Sequence, residues 1–144
     1  MGKKRTAQKG GAGYNAEMRA RSLARGSKRK VPHGILHIQA TYNNTKLLVT
    51  DKDGRAVLWS SSGSLGFGGT RKGTPYAAAK VGELVGEQAQ LLGMQSADVV
   101  VRGVGAGREA ALRAFSGKGI ELHSIRDETP RPFNGPRAPK PRRV

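Results

Sequence analysis

Between Gly34 and Thr41 apolar and polar positions alternate, with Leu36, Ile38 and Ala40 on one side and Ile35, His37, Gln39 and Thr41 on the other. Alternation of period two marks a half-buried strand, and the Leu36–Ala40 side is the cleaner apolar face. Lys46 to Thr50 and Ala56 to Ser60 predict two more strands. The polar turn Tyr42-Asn43-Asn44-Thr45 precedes the first of these. Asp51-Lys52-Asp53-Gly54 separates them, with Asp-Gly as a tight-turn signal. The period then changes. Ala77, Val81, Leu84, Val85, Leu91 and Leu92 recur near helical spacing and define one buried face. Thr74 stands as the N-cap, Pro75 at the first helical position and Gly93 as the stop. Val99 to Arg102 predicts a fourth strand, Glu109 to Phe115 a second helix and Ile120 to Ile125 a last strand. A three-strand meander followed by alternating helices and strands predicts an α/β domain with a mixed five-stranded sheet and two main helices. This order suits a three-layer sheet domain of the ribonuclease H-like kind. Gly82 and Gly86 lie within the first helix, each costing about 1 kcal/mol relative to Ala. Their spacing points to close approach of another backbone, in the sheet or a partner, or else to simple tolerance.

Outside this body the pattern stops, and charge changes the picture. The formal net charge is +16. Residues 1–30 hold ten Lys or Arg and one acid; residues 31–125 hold ten and seven; residues 126–144 hold six and two. A nearly balanced body therefore carries two basic arms, the arrangement of a nucleic-acid binder. We divide the chain into a basic extension, 1–32, disordered when free; a globular domain, 33–127; and an extended arm, 128–144. Ala16 to Arg25 has helix propensity and could fold against RNA. Five of the seven prolines lie in the last segment, interleaved with Arg131, Arg137, Lys140, Arg142 and Arg143. They preclude a helix and pre-extend the arm, which contains a tight turn at Asn134-Gly135. Cysteine is absent, consistent with a reducing compartment. No apolar run approaches the roughly 18 residues of a membrane span. The start of the chain lacks the apolar segment of a secretory signal. It is Arg-rich and acid-poor, as a transit peptide would also be.

No enzyme signature emerges. Gly103-x-Gly105-x-Gly107 lacks the third glycine of a dinucleotide fingerprint where Arg108 stands, and no phosphate-binding Gly-Lys-Ser/Thr occurs. His33, His37 and His123 show no metal-ligand spacing and read as residues making local hydrogen bonds. The sheet order raises a metal-dependent nuclease as the alternative, but Asp51, Asp53, Asp98, Glu83 and Glu87 read as turn and surface acids. Two stretches do carry chemistry. Ser60 to Gly73 is a glycine loop with Arg71 and Lys72 ahead of a helix. Arg102-Gly-Val-Gly-Ala-Gly-Arg108 enters the next helix without a side-chain cap. Glycines there can turn several N–H groups toward one anion, with Arg102 and Arg108 flanking it. With few aromatics to stack bases, phosphate and sugar contacts to folded RNA are favoured over sequence reading; a non-specific nucleic-acid binder is a further alternative.

Four motifs, HIQATYNNT (His37–Thr45), GFGGTRKGTPYAAA (Gly66–Ala79), RGVGAGRE (Arg102–Glu109) and DETPRPFNGPRAPKPRRV (Asp127–Val144), carry a resemblance. From about His33 onward the chain resembles the universal small-subunit ribosomal protein eleven family in its bacterial form. The resemblance implies a ribonuclease H-like fold without nuclease activity or cofactor. It implies a place on the platform of the small subunit, bound to ribosomal RNA near the messenger RNA exit region. It further implies small-subunit ribosomal proteins six, seven, eighteen and twenty-one as neighbours, and neither a membrane nor a homo-oligomer. By motif match, Asn43, Asn44, Arg71, Lys72, Arg108, Asn134, Arg137, Lys140, Arg142 and Arg143 would face RNA. Gly68 stands where the family often has a basic residue, Val104 and Ala106 where it often has prolines, and Phe133 where histidine is common. Bacterial cytoplasm is favoured over an organelle on motif style.

Overall fold

Leu36, Ile38 and Ala40, the apolar side of the first alternating segment, are buried, whereas Gln39 on the other side is exposed. In the computed structural model, which describes residues 15–24 and 29–144, that segment is β1, His33–Ala40. It is followed by β2 (Thr45–Thr50), β3 (Ala56–Ser61), β4 (Ser96–Arg102) and β5 (Glu121–Asp127). The helices are α1 (Ala16–Ala24), α2 (Pro75–Leu91) and α3 (Gly107–Ser116). The sheet runs β3-β2-β1-β4-β5, antiparallel across the first three strands and parallel from β1 to β4 and β5. This is the mixed α/β sheet that the alternation predicts. Both outer strands are irregular: Val57 of β3 and His123 of β5 are each an extra residue opposite a regular neighbour.

The connections β3–α2–β4 and β4–α3–β5 step across the sheet in the same direction, so right-handed crossovers place α2 and α3 on one face. Leu47, Val49, Leu58, Val99 and Val101 meet Val81, Leu84, Val85, Ala111 and Phe115 there in a single core. Thr74 does cap α2, accepting a hydrogen bond from the Ala77 N–H (3.3 Å), with Pro75 next in line. Leu91 departs from expectation and is 77% exposed. The helix ends there, and the following turn sends Leu92 and Met94 inward instead. β4 starts three residues early, at Ser96, because its edge pairs with the start of β1 at His33.

The two helical glycines answer to α3. A Cβ at Gly82 would lie 2.6 Å from the Ala111 carbonyl oxygen, and one at Gly86 would lie 2.7 Å from Lys118 Cγ. The close backbone that their spacing signalled is thus the neighbouring helix at Gly82, whereas at Gly86 the nearest atoms belong to the Lys118 side chain just beyond α3.

Residues 1–14 and 25–28 of the basic extension lie outside the described residues. Within it, α1 forms as its propensity allows, but against the body. The Asn15 N–H donates to the Leu65 carbonyl (2.8 Å), and Gln88 Nε2 donates to the Ser22 carbonyl (2.5 Å). Glu87 accepts from both Arg19 of α1 (2.5 Å) and Lys118 beyond α3 (3.0 Å), so it joins three elements rather than standing as a surface acid.

Candidate nucleic-acid interface

The carboxyl ends of β1, β3, β4 and β5 lie at one end of the sheet, where the segments leading into α2 and α3 also start. Open α/β sheets bind ligands at this end. Two backbone segments converge on the end of β1 and the β1–β2 turn. Gly73 lies so close to the Tyr42 carbonyl that any Cβ would overlap it. Gly103 and Gly105 stand equally close to the carbonyls of Ala40 and Thr41, and the Gly105 N–H donates to Ala40 (2.9 Å). The glycines of the second loop therefore seat it against the end of β1. Gly103 also has φ +97°, outside the range comfortable for other residues.

The residues singled out in the sequence divide by what they touch. Arg71 and Lys72 sit in a short 3-10 helix, Gly69–Gly73, rather than in an open loop. The Arg71 carbonyl accepts from the Thr74 N–H (3.3 Å) and hydroxyl (2.7 Å), which fixes its backbone. Neither side chain has a hydrogen-bond or ion-pair partner among the described residues, nor does that of the exposed Asn43. Asn44 instead builds the turn: its Oδ1 accepts from the Thr45 N–H (2.9 Å) and its carbonyl from Thr41.

Arg102 and Arg108 are committed within the chain. Arg102 donates to Glu128 (3.1 Å). Arg108 donates to the Gly103 carbonyl, to Thr129 Oγ1 (3.4 Å) and to Asp127 Oδ2 (2.6 Å). The two arginines thus fasten the end of β5 to the glycine loop, and their flanking of an anion is reduced by carboxylates already in place. α3 does begin without a side-chain cap, at Ala106. The acids responsible lie nineteen or more residues away along the chain, so local spacing held no sign of them.

Hydrogen bonds from the Thr129 hydroxyl and from Arg108 draw the Asp127 pKa down from 3.8 to about 2. A folded value below the unfolded one means that the clasp is fully effective above about pH 4 and is lost as pH falls through 2. Titration followed by NMR should show the Thr129 amide and Arg108 guanidinium signals moving together with a midpoint near 2. A midpoint near 4 would mean that the clasp does not form in solution.

The arm is exposed from Pro130 to Val144, and Thr129 just before it is half-buried. Asn134 turns with φ 56°, as Asn-Gly predicts. Arg137, Lys140, Arg142 and Arg143 follow, without an ion-pair partner among the described residues.

The acids are otherwise engaged. Asp51 accepts from the N–H groups of Asp53 (3.1 Å) and Arg55 (2.8 Å) in its own turn. Asp98, the third residue of β4 rather than its first, accepts from Ser124 (2.7 Å) and contacts His33 (3.1 Å). His37 meets Thr50 (3.2 Å), the local hydrogen bond expected of a strand histidine, whereas His123 lies against the His33 ring instead. Among the described residues no group of three or more His, Asp or Glu is placed to hold a metal ion.

A basic α/β domain that gathers unpaired cations at its strand ends and in a trailing arm defines the class of domains shaped to meet a polyanion. Comparison with known proteins is more specific. Residues 34–143 match the model of the family described as ribosomal protein S11. The chain is 48% identical over 129 residues to the small ribosomal subunit protein uS11 of Thermosipho melanesiensis, a match that spans 90% of this chain and 99% of that one. The proteins of the same name from Thermosipho africanus and Thermotoga maritima are 49% and 46% identical over the same coverage. The chain belongs to the ribosomal protein S11 family, whose members are structural proteins and not enzymes.

Proposed function

We propose that the protein binds ribosomal RNA through its strand-end surface and its two basic arms, on the platform of the small subunit near the messenger RNA exit region. At the coarser level it is a structural constituent of the small ribosomal subunit, associated with the ribosome and, in a bacterium, cytoplasmic. The observation that carries the RNA reading is the convergence of the β1–β2 turn, the 3-10 segment and the glycine loop, which puts Asn43, Arg71 and Lys72 at one end of the sheet without competing partners among the described residues. Arg102 and Arg108 act indirectly there: they hold the loop and the root of the arm in position. Asn134, Arg137, Lys140, Arg142 and Arg143 reach further along the RNA, and Asn44 keeps the turn in shape. The neighbours implied are small-subunit ribosomal proteins six, seven, eighteen and twenty-one. Glu128 and Thr129 bond to Val101 and Gly103 of the body, so in this proposal the part of the arm free to reach RNA begins at about residue 130.

Sucrose-gradient fractionation of a native lysate tests this. The chain should travel with the small subunit at moderate salt and leave it progressively as salt rises, since each phosphate contact contributes roughly 0.7–0.9 to the log–log slope. A free or DNA-bound pool without a small-subunit peak would overturn it.

A further inference from the structure

Among the described residues α2 and α3 both pack on one face of the sheet, and the opposite face holds a groove of about 970 Å³. Leu48 and Trp59 lie side by side on its floor by strand register, Val104 and Pro130 form its far wall, and Lys46 and Arg102 stand on its rim. Trp59, the sole tryptophan, is 67% exposed, and Val104 is 62% exposed. Large apolar groups gathered in one concavity mark an interaction surface.

Its electrostatics differ from those of the strand ends. Arg102 is held by Glu128, which also lies 3.6 Å from Arg126. Burial, and then the nearby Arg102, lower the His37 pKa, so that residue is neutral at pH 7. Lys46 is the rim cation without an ion-pair partner among the described residues. A phosphate backbone laid here would meet the Glu128 carboxylate and apolar side chains, whereas an apolar side chain would be favoured by leaving water. One carboxylate beside it would complement Lys46.

We propose that this groove docks a segment of a neighbouring ribosomal protein, with apolar side chains seated on Leu48 and Trp59 and an adjacent Asp or Glu meeting Lys46. The inference rests on the chain's place in the small subunit. Trp59 replaced by the photocrosslinker p-benzoylphenylalanine, in subunits purified from cells and shown by blot to contain the chain, provides the test. Ultraviolet irradiation should give an adduct that protease removes and ribonuclease does not, its peptide carrying Asp or Glu within a few residues of an apolar one. Lys46→Glu should lower adduct yield about tenfold, the factor that 1.4 kcal/mol of lost attraction gives, and Lys46→Gln by less. An RNA adduct, a protein adduct indifferent to residue 46, or no adduct from subunits containing the chain would overturn the proposal. Absence of the chain from the subunits would instead overturn the ribosomal reading.

Discussion

Gly103→Ala is expected to lower the free energy of unfolding by about 2–5 kcal/mol, from about 1–2 for the left-handed backbone and 1–3 for overpacking. The added Cβ would overlap the Ala40 carbonyl while the residue is held at φ +97°. Both partners are main chain, so no side-chain rotation relieves the clash. Gly69→Ala is the control. Its φ is +59°, but an added Cβ would have open space for 4 Å around it, so the change should cost only the conformational part, about 1 kcal/mol. Urea unfolding of the two variants should therefore give clearly separated midpoints. Equal midpoints would mean that the loop is not seated on β1 in solution. Small domains have only about 5–15 kcal/mol in total, so the Gly103 variant should also be depleted from assembled subunits.

Removing residues 131–144 should leave the body's unfolding midpoint unchanged and weaken RNA binding by on the order of a thousandfold at 0.15 M salt. The segment is exposed throughout and makes no hydrogen bond or ion pair to the body among the described residues. It carries Arg131, Arg137, Lys140, Arg142 and Arg143. Losing five cations should reduce the log–log salt slope by about 4. An unchanged slope would remove the arm from the interface. A longer deletion, 128–144, should behave differently, because it also takes away Thr129, which bonds to Asp127, Arg108 and the Gly103 N–H. That variant should lose stability as well as affinity. Comparing the two cuts separates what the arm does for RNA from what its root does for the fold.

The difference between these cuts shows where the sequence was readable. Strand alternation, the Thr74-Pro75 start of α2 and the Asp51 turn all act within a few residues, and each stands in the structure where its pattern places it. That the sheet is mixed, antiparallel early in the chain and parallel late, follows from connection rules and needed no knowledge of particular contacts. Pairings across the sheet were another matter. Arg108 looks like a phosphate ligand until β5 brings Asp127 beside it. Gly82 and Gly86 carried a spacing but no address, since only the packing of α3 and the residues after it says that one admits the Ala111 carbonyl and the other the Lys118 side chain. The open groove was equally hidden, because Trp59 and Val104 share a concavity only after β4 has crossed to the far side of β1. The motif DETPRPFNG reads as a simple boundary between body and arm, yet its first three residues are tied into the fold.

The irregular register of the outer strands has a consequence for the protein before it meets RNA. A sheet with two free sides is a template on which identical chains can stack strand upon strand. Here the extra residue falls on the outermost strand each time, Val57 on one side and His123 on the other. A bulge bends the strand and breaks the even row of N–H and C=O groups that an incoming copy would need. On β5 the exposed side chains also include Glu121, Arg126 and Asp127, and charges along an edge strand discourage such pairing. Bulged edges and sixteen net positive charges together are expected to disfavour strand-upon-strand polymerisation of the free chain.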